Sequence, residues 1–241
     1  MSGARGPAGR VTHPALAVAR LFPPGVVASE VRGGVAADGL LPAERACVAR
    51  AAPSRVEEFA AGRLCARTAL SALGFPESPL LCGPDRAPLW PPGATGSISH
   101  TDGYCVAVVG ATRRFAGLGA DAEHVGRPQR ALWRIVFTDE EVTWLDGLAE
   151  SVRPQMATVI FSAKEAFYKC LYPITRARLG FGEVTVRVAG NSFQATVCED
   201  STHRGRNFSP LTGQFVRLDD LIVCAVAIEA ASAASARASR T

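Results

Sequence analysis

Apolar residues recur at helical spacing twice along this chain. Across SRVEEFAAGRLCARTALSAL, residues 54–73, Val56, Phe59, Ala60, Leu70 and Leu73 share a face, and Gly74 follows as a stop. This predicts a helix over 54–73. A second predicted helix carries Met156, Ile160, Ala163, Phe167 and Leu171. It is expected to end before Pro173, whose ring removes a donor and crowds the preceding turn. Strand patterns occur at YCVAVVG (104–110), around Leu118 to Val125, and in GEVTVRV, SFQATV and LIVCAVAIE. Thr138-Asp-Glu-Glu141 is a capping-box pattern that opens a further helix. CGPDRAPLWPPGATG reads as turns, and GSISH as a small polar turn before a strand.

The order is a long helix followed by strands, twice over. It predicts an α+β fold with pseudo-twofold duplication of two α/β subdomains. Each is a long helix packed on a small, mainly antiparallel sheet, with the active site at their interface. Phe59-x3-Arg63-x3-Arg67 loosely echoes Phe161-x3-Glu165-x3-Lys169. The expected limits are 13–115 and 116–230, between small, polar ends at 1–12 and 231–241 expected to be disordered.

Composition narrows the class. With 241 residues, 48% hydrophobic and 20% charged, the chain can bury a substantial core. A formal charge of +4 suits an anionic ligand or an acidic partner, without the blocks of like charge that mark nucleic-acid arms. Nucleic acid is therefore not an expected partner. Seven cysteines, at 47, 65, 82, 105, 170, 198 and 224, show no Cys-x-x-Cys spacing and several lie in apolar runs. They read as reduced thiols, not as a disulfide framework or a zinc site. Pro14, Arg20 and Pro23-Pro24 spoil a signal peptide, and no apolar run is long enough for a membrane span. The expected location is the cytoplasm.

Three stretches could carry chemistry. In GLGADAEHV, 117–125, a strand would put Asp121 and Glu123 on one face. Spacing alone fits either a hard divalent ion bound by oxygen ligands or a solvated edge strand. FSAKEAFYKC, 161–170, holds both lysines of a chain whose other 24 basic side chains are all arginine. Lysine is a compact charge and arginine a planar fork, so a site needing one ammonium among oxygens distinguishes them. On a helix, Glu165 and Lys169 lie one turn apart, opposite the apolar stripe, and by themselves fit an ordinary surface ion pair. Lys164 lies at the edge of the stripe, its stem placed to pack. GSISHTDGY, 96–104, offers Ser97, Ser99 and His100 beside backbone N–H groups that could hold a phosphate; a lone histidine is more often structural. G-x-S-x-G, H-E-x-x-H, G-x-x-x-x-G-K-[ST] and G-x-G-x-x-G patterns are all missing from the sequence.

Taken together, EFAAGRLCARTALSALG, APLWPPGATGSISH, GLGADAE, FSAKEAFYK and RLGFGEVTV resemble the larger, two-halved class of 4′-phosphopantetheinyl transferases, in family order over roughly residues 40 to 228. The resemblance implies transfer of the phosphopantetheine arm of coenzyme A to a serine of apo acyl or peptidyl carrier proteins. Such carriers serve polyketide, nonribosomal peptide or fatty-acid synthases, and the second product is adenosine 3′,5′-bisphosphate. It implies that Asp121, Glu123 and Glu165 hold Mg²⁺, with Mn²⁺ able to substitute and the Ala122 carbonyl contributing. Glu165 is the implied general base, Lys169 the group that neutralises the pyrophosphate, and Lys164 a basic residue lining the coenzyme site. Arg55, Arg63, His100 and Ser99 match positions around the 3′-phosphate and adenine, and Arg86 stands where many relatives have lysine. Ala122 replaces a residue that is often larger in the family. Nucleotide contacts thus fall to the first half and the metal and catalytic helix to the second. Phe137, Trp144 and the arginines from Arg127 to Arg134 are candidates for carrier docking, and a monomer is expected because one chain supplies both walls of the cleft. Two other readings use the same residues. One is a Mg²⁺-dependent nucleotide or pyrophosphate hydrolase, which would turn over without a carrier. The other is a non-catalytic carrier-protein or nucleic-acid binding module, which leaves the acids and Lys169 unexplained.

Overall fold

The protein's structure, a computed structural model, describes residues 10–12, 15–33, 35–199, 201 and 208–231. Its first half comprises β1 (Arg10–Thr12), α1 (Leu16–Ala19), β2 (Val26–Arg32), α2 (Pro42–Cys47), α3 (Pro53–Ala72), β3 (Ala94–Thr101) and β4 (Tyr104–Ala111). The strands form an antiparallel sheet in the order β1-β2-β4-β3. The second half comprises β5 (Phe115–His124), α4 (Trp133–Val136), α5 (Asp139–Asp146), α6 (Arg153–Thr175), β6 (Val184–Ala189), β7 (Ser192–Val197), β8 (Leu211–Leu218) and β9 (Leu221–Glu229). Its sheet is antiparallel in the order β5-β9-β8-β7-β6.

Strand periodicity explains how the halves join. Along β4, Cys105 and Ala107 pack with Phe59, Ala60, Cys65 and Ala66 of α3, while Tyr104, Val106 and Val108 face the other way. That second face shares a core with Leu118, Ala120 and Ala122 of β5 and Val223 and Ala225 of β9. β4 therefore reads as a continuous apolar run, since both faces are buried. α6 covers the remaining face of the second sheet through Ala163, Ala166, Phe167 and Cys170.

Several expectations change. GSISH is not a turn: all of β3 is laddered to β4, from Ala94 opposite Ala111 to Thr101 opposite Tyr104. Its serines are polar because they face the seam between the halves, not because the chain turns there. α6 passes through Pro173 and ends at Arg176, whose φ is 56°. The ring leaves only the Lys169 carbonyl without its helical donor, late enough for the last turn to persist. Residues 10–12, expected to be disordered, pair with Glu30–Arg32 at the sheet edge; residues 1–9 and 232–241 lie outside the described residues. Phe115 opens β5 and so belongs to the second half. Neither β2 nor β8 was predicted. In β8, Gly213 interrupts the apolar signal because the Phe193 ring occupies the space of a side chain.

Candidate active site

β5 and α6 meet closely enough to build a site because β5 carries glycine at 117 and 119, where it faces the helix. Alternate residues Leu118, Ala120 and Ala122 point into the shared core, leaving Gly117, Gly119, Asp121 and Glu123 on the face toward α6. A Cβ on Gly119 would collide with the Ala166 carbonyl, and one on Gly117 with that of Cys170. The G-x-D-x-E run thus combines a close-approach surface with two acids just beyond it. On α6, Glu165, Lys169 and Tyr172 follow one another at four- and three-residue steps, a stripe about 60° wide, and Arg176 caps the helix.

The seam is closed by hydroxyls. β3 lies beside β5, and Ser97 Oγ accepts from the Ala120 N–H at 3.1 Å while donating to its carbonyl at 3.4 Å. Ser99 Oγ accepts from the Ala122 N–H at 3.2 Å and donates to Asp121 Oδ1 at 2.8 Å. Lys169 Nζ donates to the same Oδ1 at 2.6 Å and to Ser99 Oγ at 3.1 Å. Asp121 is only 3% exposed, and its Oδ2 is buried without a hydrogen-bond partner. An orphaned carboxylate oxygen at this depth is costly unless another group engages it.

The neighbouring charges feel one another. Burial, then the charge of Asp121, pushes the Glu123 carboxyl up to about 7; Thr101 Oγ1 lies 3.4 Å from its Oε2. Burial raises Glu165 as well, with Lys169 offsetting and Asp121 adding to the shift. Burial alone would lower Lys169, but Asp121, Glu165 and Glu123 outweigh it and hold the ammonium above its ordinary value. Lys169 pairs with Asp121 across the site and not with Glu165 along the helix. Among the described residues no three carboxylate, imidazole or thiol groups are arranged as a finished cation cage. What the site has is crowded hard oxygen donors, two of them with raised pKa values and one with an unpartnered oxygen. That chemistry fits a divalent cation.

The remaining candidates divide. Arg55, in the first turn of α3, reaches His100 Nε2 at 2.8 Å and Glu58 at 3.0 Å, an open polar cluster. Burial holds the His100 imidazole below its ordinary value, Glu58 opposing and Arg55 assisting. Arg86 lines a cleft of about 490 Å³ between the halves, together with Trp90, Ser97, Tyr168, Lys169 and Tyr172.

Three expected coenzyme contacts are built differently. Arg63 is 4% exposed; it donates to the Leu80 carbonyl at 2.7 Å and Cys82 Sγ at 2.9 Å and stacks over Phe59, holding the loop after α3. Ser99 is buried and bridges the seam without lining the cleft. Lys164 is 3% exposed, its ammonium taken by Glu141 (2.6 Å) and the carbonyls of Val136 (3.0 Å) and Phe181 (2.9 Å). Its position at the stripe's edge let the stem pack inward, and Glu141, anchored by the capping box, supplied the charge. Phe137, a docking candidate, is also buried, whereas Trp144 is exposed.

The family model for the 4′-phosphopantetheinyl transferase N-terminal domain matches residues 43–110, and that for the 4′-phosphopantetheinyl transferase superfamily matches 117–226. The chain belongs to this superfamily. It is 39% identical over 196 residues to 4′-phosphopantetheinyl transferase Svp of Streptomyces mobaraensis, covering 79% of each protein. Identity to PptT of Mycobacterium tuberculosis is 32% over 196 residues, covering 78% of this chain and 86% of the relative. Npt of Nocardia iowensis is 37% identical over 146 residues, 60% of this chain and 64% of that one. The protein is a 4′-phosphopantetheinyl transferase, which moves phosphopantetheine from coenzyme A to carrier proteins. Among the described residues no helix is long and apolar enough to cross a membrane.

Proposed function

We propose that the transfer takes place at the seam between β5 and α6, and that Asp121, Glu123 and Glu165 hold a Mg²⁺ ion there. The observation that carries this reading is the buried Oδ2 of Asp121, unpartnered in a cluster where burial and like charge raise both neighbouring carboxyls. The Ala122 carbonyl is a further donor: its N–H already points from the free edge of β5 toward β3, and N–H and C=O of one strand residue share a side. When bound, the ion would neutralise negative charge on the coenzyme diphosphate.

The chain's own groups do the rest. In the transfer, the carrier serine Oγ bonds to the phosphorus that bears the pantetheine arm. The bond from that phosphorus to the bridging oxygen breaks, and its electron pair leaves with adenosine 3′,5′-bisphosphate. Glu165 accepts the serine proton. Lys169 balances charge on the bridging oxygen as it departs; such a loose transition state needs positioning and neutralisation more than covalent help. Arg86 contacts the diphosphate from the first half, and the open pair Arg55 and His100 receives the 3′-phosphate.

The proposal includes a monomer, since a single chain provides both walls of the cleft, and no nucleic-acid or membrane partner. It also includes a cytoplasmic location, where the buried thiols of Cys65, Cys105, Cys170 and Cys224 stay reduced. Carriers would approach the exposed Trp144 and the arginines from Arg127 to Arg134. Purified protein incubated with CoA, Mg²⁺ and apo carrier domains is expected to raise carrier mass by one phosphopantetheine. Chelation of the metal should stop the reaction. A rate unaffected by rigorous chelation would exclude the metal assignment.

A further inference from the structure

The loop that carries Arg86 is gripped from across the cleft. Within it, the Arg86 N–H donates to the Gly83 carbonyl at 2.9 Å and the Gly83 N–H to the Ala87 carbonyl at 2.8 Å. Arg86 itself has a φ of 65°, a left-handed conformation that residues with a Cβ seldom adopt unless their surroundings impose it. Asp85 supplies those surroundings. Its carboxylate, 17% exposed, accepts from the Ala87 N–H at 3.1 Å inside the loop. It also accepts from the Tyr172 hydroxyl of α6 at 2.9 Å and from Nη1 of Arg176, the residue that caps α6, at 3.0 Å.

Tyr172 continues the helical stripe that begins with Glu165 and Lys169, and Arg176 caps the same helix. One rigid face of α6 therefore bears the reacting end and, one and two turns further on, the anchor of the opposing loop. The backbone that carries Arg86 cannot shift away from α6 without breaking the bonds of Asp85 to Ala87, Tyr172 and Arg176.

We propose that Asp85 is a positioning residue for coenzyme binding. It acts through Arg86, fixing where the first half's guanidinium stands relative to the Lys169 ammonium of the second, so that the cleft is set for a diphosphate before one arrives. Preorganisation of this kind removes an ordering cost from binding and leaves the chemical step alone. The inference rests on the reading that Arg86 contacts the coenzyme diphosphate.

Calorimetric titration with CoA and steady-state kinetics on Asp85→Ala, Tyr172→Phe and Arg86→Ala, singly and combined, test it. Asp85→Ala is expected to weaken CoA binding about tenfold and Tyr172→Phe about threefold, the loss of hydrogen bonds to a charged group. In Asp85→Ala and Tyr172→Phe the kcat at saturating CoA and the KM for the carrier should stay within about twofold. Asp85→Ala combined with Arg86→Ala should bind no more weakly than Arg86→Ala alone, because one acts through the other. A merely structural Asp85 would lower the active fraction or kcat and leave the KM for CoA unchanged, and that result overturns the proposal. So does wild-type CoA affinity in both Asp85→Ala and Tyr172→Phe while Arg86→Ala is weakened. Wild-type affinity in Arg86→Ala would instead remove the underlying reading of Arg86, and the proposal with it.

Discussion

Lys169 and Asp121, 48 residues apart in the chain, meet at 2.6 Å, and Ser99 from the other half of the molecule bonds to both. The contact joins β3, β5 and α6 at one point. Only one oxygen of Asp121 is used, and Glu123 and Glu165 stand in the same electrostatic field. The ammonium offsets part of the negative charge of Asp121, Glu165 and Glu123 that a diphosphate would otherwise meet.

Replacing Lys169 tests whether a point charge is required. Lys169→Arg keeps the charge but spreads it over a planar fork, and kcat/KM is expected to fall about 100-fold, with Lys169→Ala lower still. Circular dichroism and Tm should show the fold retained. A wild-type rate in Lys169→Arg would mean that the chemistry does not require a point charge at Lys169.

Gly119 sets the distance between β5 and α6. Gly119→Ala places a methyl group against the Ala166 carbonyl and is expected to cost about 1–3 kcal/mol, as overpacking does. Denaturant unfolding would measure that loss. Activity should fall further than stability explains, since Glu165 and Lys169 move with the helix.

Lys164 is expected to behave as a structural residue. Lys164→Met leaves Glu141 buried without its cation and should destabilise the protein by about 3 kcal/mol, while the KM for CoA stays near wild type. Adding Glu141→Gln should recover part of the stability. Unchanged stability with a raised KM would return Lys164 to the coenzyme site.

His100 gives a pH test. Burial holds its pKa below the ordinary 6.5, so the free protein carries it neutral at pH 7. As pH falls through 6.5 the unfolded chain takes up this proton first, so the contribution to stability, full above 6.5, is lost progressively toward the folded value. A phosphate at Arg55 and His100 favours the protonated ring. The preference for CoA over 3′-dephospho-CoA should therefore grow as pH falls from 7.5 to about 6, and should be flat in His100→Gln. Equal pH profiles for both ligands in the wild-type protein would remove His100 from the 3′-phosphate.

Much of this was legible in the sequence, for definite reasons. The two long helices announce themselves by 3.6-residue periodicity, and strand parity put Asp121 and Glu123 on one face. β8 was hidden because Gly213 serves a neighbour's ring and so looks like a turn. β3 was hidden because its serines make bonds between halves, which no local pattern encodes. Motif position placed Arg63 and Lys164 among the coenzyme contacts, but a long cationic stem can turn inward wherever a buried carbonyl or carboxylate waits. Only the fold reveals that Leu80, Cys82 and Glu141 are waiting there. Asp85 left no signal either, since its partners on α6 lie 87 and 91 residues away.

The most direct test is anomalous diffraction from crystals of the protein grown with CoA and Mn²⁺. The account predicts one manganese peak within bonding distance of carboxylate oxygens of Asp121, Glu123 and Glu165 and of the CoA diphosphate. A diphosphate bound in the cleft with the metal held elsewhere, or with any of these three acids turned away from it, would contradict the account.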